Sequence, residues 1–152
     1  MVTSEYILGI NENDLKDVHA VRRAVFVEEQ KIPEDVERDG MDESAVHVLT
    51  CVDGVPAATG RLLVLNDEFT IGRVAVLPQF RGKRLGDLVV RLLIRTAFDM
   101  GGHRQIVHSQ VRVRRFYEKL GFISQGEVYE EAGIPHITMC RDGDIFGDCC
   151  TQ

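Results

Sequence analysis

Apolar and polar residues alternate along the chain with two different spacings, and the N-terminal part predicts one strand and one helix. A short apolar run at residues 6–10 predicts the first strand. Polar residues 11–14 then supply helix-capping side chains, and apolar residues continue at helical spacing to about Gln30, before Pro33 prevents extension. The inward stripe of this helix consists of Leu15, Val18, Val21 and Val25.

Residues 34–43 interrupt the helical periodicity with a strongly acidic segment. Carboxylates dominate this segment, and Arg38 is its one cation. We predict a solvated surface loop. The alternative is that the segment borders an active site and attracts a cationic amine.

The pattern then changes to the spacing of strands. Two β-rich runs, 45–52 and 55–65, flank Asp53-Gly54, a dipeptide typical of tight antiparallel hairpins. A third run, 69–77, predicts a central strand that ends at Pro78, because proline cannot donate to a sheet ladder.

A polar stripe at every fourth position predicts a helix directly after a basic turn at residues 79–86. Nearly all residues between the stripe positions are apolar, so we expect this helix to be mostly buried and to end at Gly101-Gly102. Residues 105–108 predict a strand parallel to the central one, since strand–loop–helix–strand successions form right-handed crossovers. The stripe consists of Asp87, Arg91, Arg95 and Asp99.

The remaining pattern completes one α/β domain with a mixed sheet. It predicts a helix at 112–120, ended by Gly121, and two closing strands at 126–131 and 134–141. We assign residues 1–143 to the domain. Residues 144–152 are expected to form a C-terminal tail that carries Cys149 and Cys150 as surface thiols.

Composition narrows the possible functions. A chain of 152 residues with 44% hydrophobic content is long enough for one well-buried core and too short for two ordinary domains. The net charge of −6 argues against general binding to nucleic acid or to anionic membranes. The N-terminus has no cationic segment before an apolar run, so we expect a cytoplasmic protein.

The basic turn is the first candidate for a ligand site. It combines Gly82 and Gly86 with the cations Arg81, Lys83 and Arg84, and it lies between a strand and a helix. Free amides and the positive dipole end of a helix favour a phosphate-sized anion there. The alternative is ordinary turn chemistry with a solvated basic edge.

Two motifs carry a resemblance to a known family. The turn Gln79-x-x-Gly82-x-Arg84 resembles the acetyl-CoA pyrophosphate loop of the GNAT superfamily of N-acetyltransferases, except that Arg84 stands where that pattern has Gly or Ala. The segment from Phe116 to Phe122 is similar to the second signature of that superfamily. Residues 15–139 as a whole resemble the ElaA-type branch, and residues 135–139 also resemble glyphosate N-acetyltransferase.

The resemblance implies a fold and a cofactor. The fold would be a mostly antiparallel mixed sheet with helices on both faces, and acetyl-CoA would lie where a parallel strand pair splays apart. Tyr117 would protonate the coenzyme thiolate. The residues expected at the cofactor are Val74, Ala75, Val76, Arg81, Gly82, Lys83, Arg84, Leu85, Gly86, Ser109, Arg115 and Phe116.

His136 is the candidate general base, because an imidazole can take a proton from an ammonium group near neutral pH. The alternative is a structural histidine within the sheet, in which case Glu29, Glu130 or an ordered water would be the base. The residues expected to bind substrate are Arg22, Phe26, Glu29 and His136. No metal is required.

The resulting hypothesis is direct acetyl transfer from acetyl-CoA to a primary amine of a small molecule. Two alternatives stay open: acetylation of a protein lysine or N-terminus, and a non-catalytic acyl-CoA sensor. Nucleic-acid binding through Arg112, Arg114 and Arg115 is a more distant alternative, since exposed helix arginines usually form a solvated face. The family resemblance leaves a homodimer open.

Overall fold

A seven-stranded mixed sheet organises the protein in the computed structural model, which describes residues 1–9 and 11–145. The strand order is β1-β2-β3-β4-β5-β7-β6. Every neighbouring pair is antiparallel except β4 and β5, which are parallel. The strands are β1 Val2–Leu8, β2 Val46–Val52, β3 Val55–Leu65, β4 Glu68–Val76, β5 Arg104–Gln110, β6 Ile123–Glu131 and β7 Ile134–Asp142.

Four α-helices connect these strands. The first, α1, is continuous with a 3-10 turn before it and a π-helical stretch after it. Asn11 caps the 3-10 turn, since its side chain accepts a hydrogen bond from the amide of Asp14. The α-helices are α1 Lys16–Arg22, α2 Glu34–Glu37, α3 Leu85–Asp99 and α4 Arg114–Glu118. The 3-10 turn is Glu12–Leu15 and the π-helical stretch is Arg23–Glu29.

The two long helical segments pack on opposite faces of the sheet. On β2, Val48 belongs to the core beneath α3, whereas its neighbour Leu49 packs with Leu15 and Val18 of the first helical segment. At Gly60 of β3, an added Cβ would lie 2.6 Å from a methyl group of Val89, so α3 approaches the strand too closely for a side chain there. The predicted arrangement of helices on both faces is confirmed.

The parallel pair opens toward its carboxyl end. β4 and β5 are paired from Phe69 with Gln105 to Ile71 with Val107, and no pairing between the two strands follows in the described residues. β4 still pairs with β3 as far as Val76. The predicted splayed parallel pair is therefore confirmed, and the opening lies between residues 72–76 and residues 108–110.

Two local predictions need correction. The first predicted helix does reach the expected end near Gln30, but its last part is π-helical. The acidic segment is not a solvated loop: it forms α2 and a 3-10 turn at Asp42–Ser44, and Glu37 and Asp42 are buried. Ile10 and residues 146–152 of the predicted tail, with Cys149 and Cys150, lie outside the described residues.

No helix within residues 1–9 and 11–145 is long and apolar enough to cross a bilayer.

Candidate active site

A cavity of about 560 Å³ lies at the opening between β4 and β5. Its walls come from the π-helical stretch, α2, strands β3 to β5, α4 and the β6–β7 hairpin. Five residues predicted for the site from the sequence line this cavity: Phe26, Val74, Ser109, Tyr117 and His136. The fold therefore brings together side chains that are up to about a hundred residues apart in the sequence.

The basic turn leaves a row of main-chain amides without internal partners. The amide of Arg81 donates to the carbonyl of Pro78 at 3.3 Å, and the next recorded donor is the amide of Leu88, which bonds to Arg84. The amides from Gly82 to Asp87 have no hydrogen-bond partner in the part of the chain that the structure describes. They precede and open α3, so the helix dipole adds to their attraction for an anion.

Two residues of the turn adopt the left-handed backbone conformation. Gly82 has φ of +82° and Arg84 has φ of +61°. Glycine takes this conformation at little cost, whereas a residue with a Cβ is strained in it. The family pattern that Arg84 departs from has Gly or Ala at this position, and the departure therefore places strain at the start of α3.

Arg81 does not offer its main-chain amide to a ligand, which corrects the sequence prediction for that group. Its guanidinium forms a bidentate pair with Glu29, at 2.9 and 2.7 Å, and its Nε donates to the carbonyl of Val76 at 3.0 Å. The hydrogen bond from Arg81 lowers the pKa of Glu29. Glu29 is therefore tied to the turn and does not line the cavity.

Tyr117 presents a buried phenol at the opening. Its ring is held edge-on between Phe116, at a centroid distance of 4.9 Å, and Phe122, at 5.6 Å. Burial raises its pKa well above the ordinary value, so the hydroxyl keeps its proton. No partner for the phenol oxygen is recorded among the described residues, which leaves the hydroxyl available to a ligand.

His136 lies on β7, opposite Tyr129 of β6, and the two rings stack at a centroid distance of 6.0 Å. Its Nδ1–H donates to the carbonyl of Ile134 at 2.7 Å. This bond fixes the neutral tautomer in which Nε2 carries the lone pair. Nε2 lies 3.5 Å from Oε2 of Glu131, which can stabilise the imidazolium once a proton has been accepted.

Neighbouring polar groups extend this wall of the cavity. Nδ1 of His108 lies 3.0 Å from the hydroxyl of Tyr129 and 3.1 Å from that of Thr138. Ser109, expected at the cofactor, donates its hydroxyl to the carbonyl of Gln110 at 2.8 Å. Ser109 still lines the cavity, and the second lone pair of its oxygen can accept a hydrogen bond.

A charged cluster closes the opposite end of the cavity. Arg61 of β3 forms a bidentate pair with Asp39, at 2.9 and 2.5 Å, and it also donates to Asp42 at 2.9 Å. Burial by itself would raise the pKa of Asp42, but hydrogen bonds from Arg22, His19 and Arg61 hold it well below its ordinary value. The acidic segment is thus neutralised by the protein's own arginines.

Arg22 belongs to the same charged cluster and does not line the cavity. Its side chain is 1% exposed and donates to Glu37, at 2.5 and 3.0 Å, and to Asp42, at 2.7 Å. The prediction that Arg22 binds substrate is therefore not supported by its position. Its pairing with Glu37 and Asp42 explains why α1 has a cation on its inward side.

The other residues predicted for the cofactor lie around the turn rather than in the cavity. The side chains of Ala75 and Leu85 are buried in the core, so they could contact a ligand only through main-chain groups. Val76 and Phe116 pack against the core that contains Leu85, and a Cβ added at Gly86 would lie 3.5 Å from a side-chain atom of each. Lys83 places its Nζ 5.6 Å from the ring centre of Phe80, and Arg115 is exposed.

Several cavity residues were not predicted from the sequence. The sequence offered one signal that could have found such residues, which is a charged residue inside an apolar run. Arg61 is the example: a cation that faces the core needs a buried partner. The missed residues are Arg61, Arg73, His108, Gln110, Arg112 and Glu131.

Comparison with known proteins agrees with this geometry. The family model "Acetyltransferase (GNAT) domain" matches residues 12–142. Protein ElaA of Escherichia coli is 34% identical over 127 residues, covering 80% of this chain and 83% of its own length. The uncharacterized N-acetyltransferase YjcF of Bacillus subtilis is 31% identical over 138 residues, covering 90% of this chain and 98% of its own.

Solved structures share the fold. The crystal structure of Escherichia coli ElaA has a TM-score of 0.84 at 30% identity and covers 93% of this chain and 100% of its own. An acyl-CoA N-acyltransferase from Pseudomonas aeruginosa has a TM-score of 0.79 at 29% identity and covers 93% of this chain and 98% of its own. The sequence resemblance to the superfamily and to ElaA is thereby confirmed.

Proposed function

The chain belongs to the GNAT acetyltransferase family and is thus an acyltransferase, and from this premise we propose that it moves an acetyl group from acetyl-CoA to a primary amine of a small molecule. The observation that carries the proposal is the cavity at the β4–β5 opening, which has the phenol of Tyr117 and the imidazole of His136 in its wall. Its volume of about 560 Å³ is in the range typical of small-molecule sites.

The basic turn suits the diphosphate of the coenzyme. The free amides from Gly82 to Asp87 converge at the start of α3, and main-chain donors at a helix N-terminus bind phosphates without needing a particular side chain. Bound there, acetyl-CoA supplies an activated thioester. The edge of β4 at residues 74–76 is unpaired with β5, so a main-chain N–H of this stretch can stabilise an oxyanion.

His136 and Tyr117 divide the proton transfers. The fixed Nδ1–H bond of His136 leaves the Nε2 lone pair to accept a proton from the amine, which must be neutral to attack. Glu131 then faces the imidazolium across 3.5 Å. Tyr117, kept protonated by burial, donates its proton to the departing thiolate.

The test is acetyl-CoA turnover across a library of primary amines, scored by release of free thiol. Tyr117→Phe and His136→Ala should each lower kcat by roughly 10²- to 10⁴-fold while the affinity for acetyl-CoA stays the same. Tyr6→Phe and His103→Ala are matched controls, because both residues are exposed and outside the cavity. Unchanged turnover in both site variants would reject the assigned roles.

A further inference from the structure

Two arginines from adjacent strands form the end of the cavity opposite the catalytic pair. Arg61 of β3 is in register with Gly72 of β4, which places Arg73 beside it, and both arginines line the cavity. Arg61 is 4% exposed. A buried cation is costly unless its donors are satisfied, so each N–H of Arg61 needs an acceptor. The side chain of Arg73 is 26% exposed, so its free N–H groups are open to a ligand.

The protein does not supply all of those acceptors. The Nη groups of Arg61 are bonded to Asp39 and Asp42, but its Nε is buried and has no partner in residues 1–9 and 11–145. Arg73 donates from Nε and Nη2 to the carbonyl of Glu37, at 3.3 and 3.1 Å. No acceptor is recorded for its Nη1 within the same described residues.

Arg73 is also the least well neutralised arginine of the charged cluster. Arg22 and Arg61 hold Glu37, Asp39 and Asp42 at 2.5 to 2.9 Å in their shortest contacts, whereas the contact from Arg73 to Asp39 is 3.3 Å. Burial, and then the charge of Arg61, lower the pKa of Arg73. Of the three arginines, Arg73 thus has the weakest carboxylate contact, and it lies at the cavity surface.

The backbone of Arg73 is strained as well. Its φ is +50°, in the left-handed region, at the point where β4 departs from regular pairing with β3. A residue with a side chain occupies that region at a cost of the order of 1 kcal/mol, and such strain is concentrated at ligand sites. The strained backbone holds the guanidinium at the cavity.

We propose that the acceptor carries an anionic group, in the simplest case a carboxylate, which Arg73 binds through its free Nη1 beside the charge of Arg61, while its amine faces His136. The proposal rests on the proposed function and names the substrate class of the same site. The other charged groups that line the cavity fit this orientation: Glu131 lies beside His136, where an ammonium would approach, whereas Glu37 and Asp39 are already paired with arginines. Glu68 and Arg112 complete the set of charged residues in the lining.

The experiment compares two primary amines that differ in one group, 4-(aminomethyl)benzoate and 4-(aminomethyl)benzamide. We expect kcat/KM for the acid to exceed that for the amide by roughly ten- to hundredfold, the value of one or two charge-assisted hydrogen bonds. Arg73→Asn should remove this preference by lowering kcat/KM for the acid far more than for the amide, and asparagine suits the position because it tolerates the left-handed conformation. Arg73→Lys should restore part of the preference.

Calorimetry with the same two compounds and the coenzyme A-loaded protein gives the comparison without turnover. Arg38→Asn serves as the matched control, because Arg38 belongs to the acidic segment but does not line the cavity. Equal affinity for acid and amide in the unchanged protein, or equal losses for both compounds in Arg73→Asn, would overturn the proposal. Transfer to the amide by that variant would show that the acetyltransferase assignment stands even if carboxylate recognition fails.

Discussion

The two sides of the cavity are built in different ways. The side proposed for the diphosphate and the thioester carbonyl of the cofactor comes from one contiguous stretch, residues 71–100, and offers mainly main-chain amides at the start of α3. The side proposed for the acceptor takes side chains from the π-helical stretch, α2, β3, β4 and the final hairpin. The first side depends on local backbone conformation, whereas the second depends on ion pairs between residues 15 to 34 positions apart in the sequence.

The acceptor side should therefore lose more stability than the cofactor side when one polar group is removed. Asp42→Asn removes one of the two carboxylate partners of both Arg22 and Arg61, and it should lower the free energy of unfolding by roughly 1–3 kcal/mol, because it weakens buried charge-assisted hydrogen bonds from both arginines. Urea unfolding measures the change. Glu43→Gln is the matched control, since Glu43 is the next carboxylate in the chain and its side chain is exposed. Similar losses in both variants would contradict the role of the charged cluster.

Lowering the pH should reveal the contribution of the same charged cluster to the free energy of unfolding of the unchanged protein. His47 of β2 is buried beside this cluster, with its Nε2 2.9 Å from the carbonyl oxygen of Asp42. Burial lowers its pKa, so the contribution of His47 to the free energy of unfolding is complete above about pH 6.5, the unfolded value, and is lost as the pH falls toward the folded value. Asp42 and Asp39 have lowered pKa values, set by their arginine hydrogen bonds against the opposing effect of burial. Their contribution is complete above about pH 4 and is lost as the pH falls toward their folded-state values.

The expected result is a free energy of unfolding that falls in two steps on acidification. Each proton taken up on unfolding changes the free energy of unfolding by about 1.4 kcal/mol per pH unit. Asp42→Asn should reduce the step below pH 4 and keep the one near pH 6.5. Urea unfolding from pH 8 to pH 3 provides the measurement, and a variant whose lower step equals that of the unchanged protein would show that Asp42 is not its source.

These differences explain how much the sequence could predict. The strand at residues 69–77, the basic turn and α3 were predicted because proline, glycine and a four-residue polar spacing act locally. Arg22 was placed in the substrate site because a helix pattern shows that a residue faces inward but not which carboxylate it meets. That partner, Glu37, lies in a segment whose composition indicates a solvated loop.

The final hairpin lies between these two cases. Its strands were predicted from their composition, but the stacking of Tyr129 on His136 depends on the register between β6 and β7. The hairpin pairing shifts between Gln125 and Tyr129, and the sequence alone does not fix such a shift. The role of His136, and its likeness to the base of glyphosate N-acetyltransferase, stay predictions that kinetics must test.

On the cofactor side, the most informative substitution adds a charge and tests cofactor binding, not stability. Gly86→Glu adds a carboxylate in the first turn of α3, where the amides are free, and it should weaken acetyl-CoA binding by about tenfold or more through repulsion of the diphosphate. Gly86→Ala is the control, because a Cβ there meets Phe116 and Val76 at an ordinary 3.5 Å. Calorimetric titration should show near-normal affinity for the alanine variant. Equal losses for both would point to a steric effect and not to an anion site.

The smallest expected effect concerns Arg84, which stands where the family's pyrophosphate-loop pattern has Gly or Ala. Arg84 holds φ of +61° at the N-cap of α3, so Arg84→Gly should raise the free energy of unfolding by roughly 0.5–1 kcal/mol through relief of backbone strain. Arg84→Ala removes the same charge but keeps a Cβ, and it should show no such gain. The difference between the two variants in urea unfolding isolates the backbone effect from the charge. If alanine and glycine give the same stability, the strain at this position is negligible, and the turn tolerates arginine because its ligand contacts are made by the main chain.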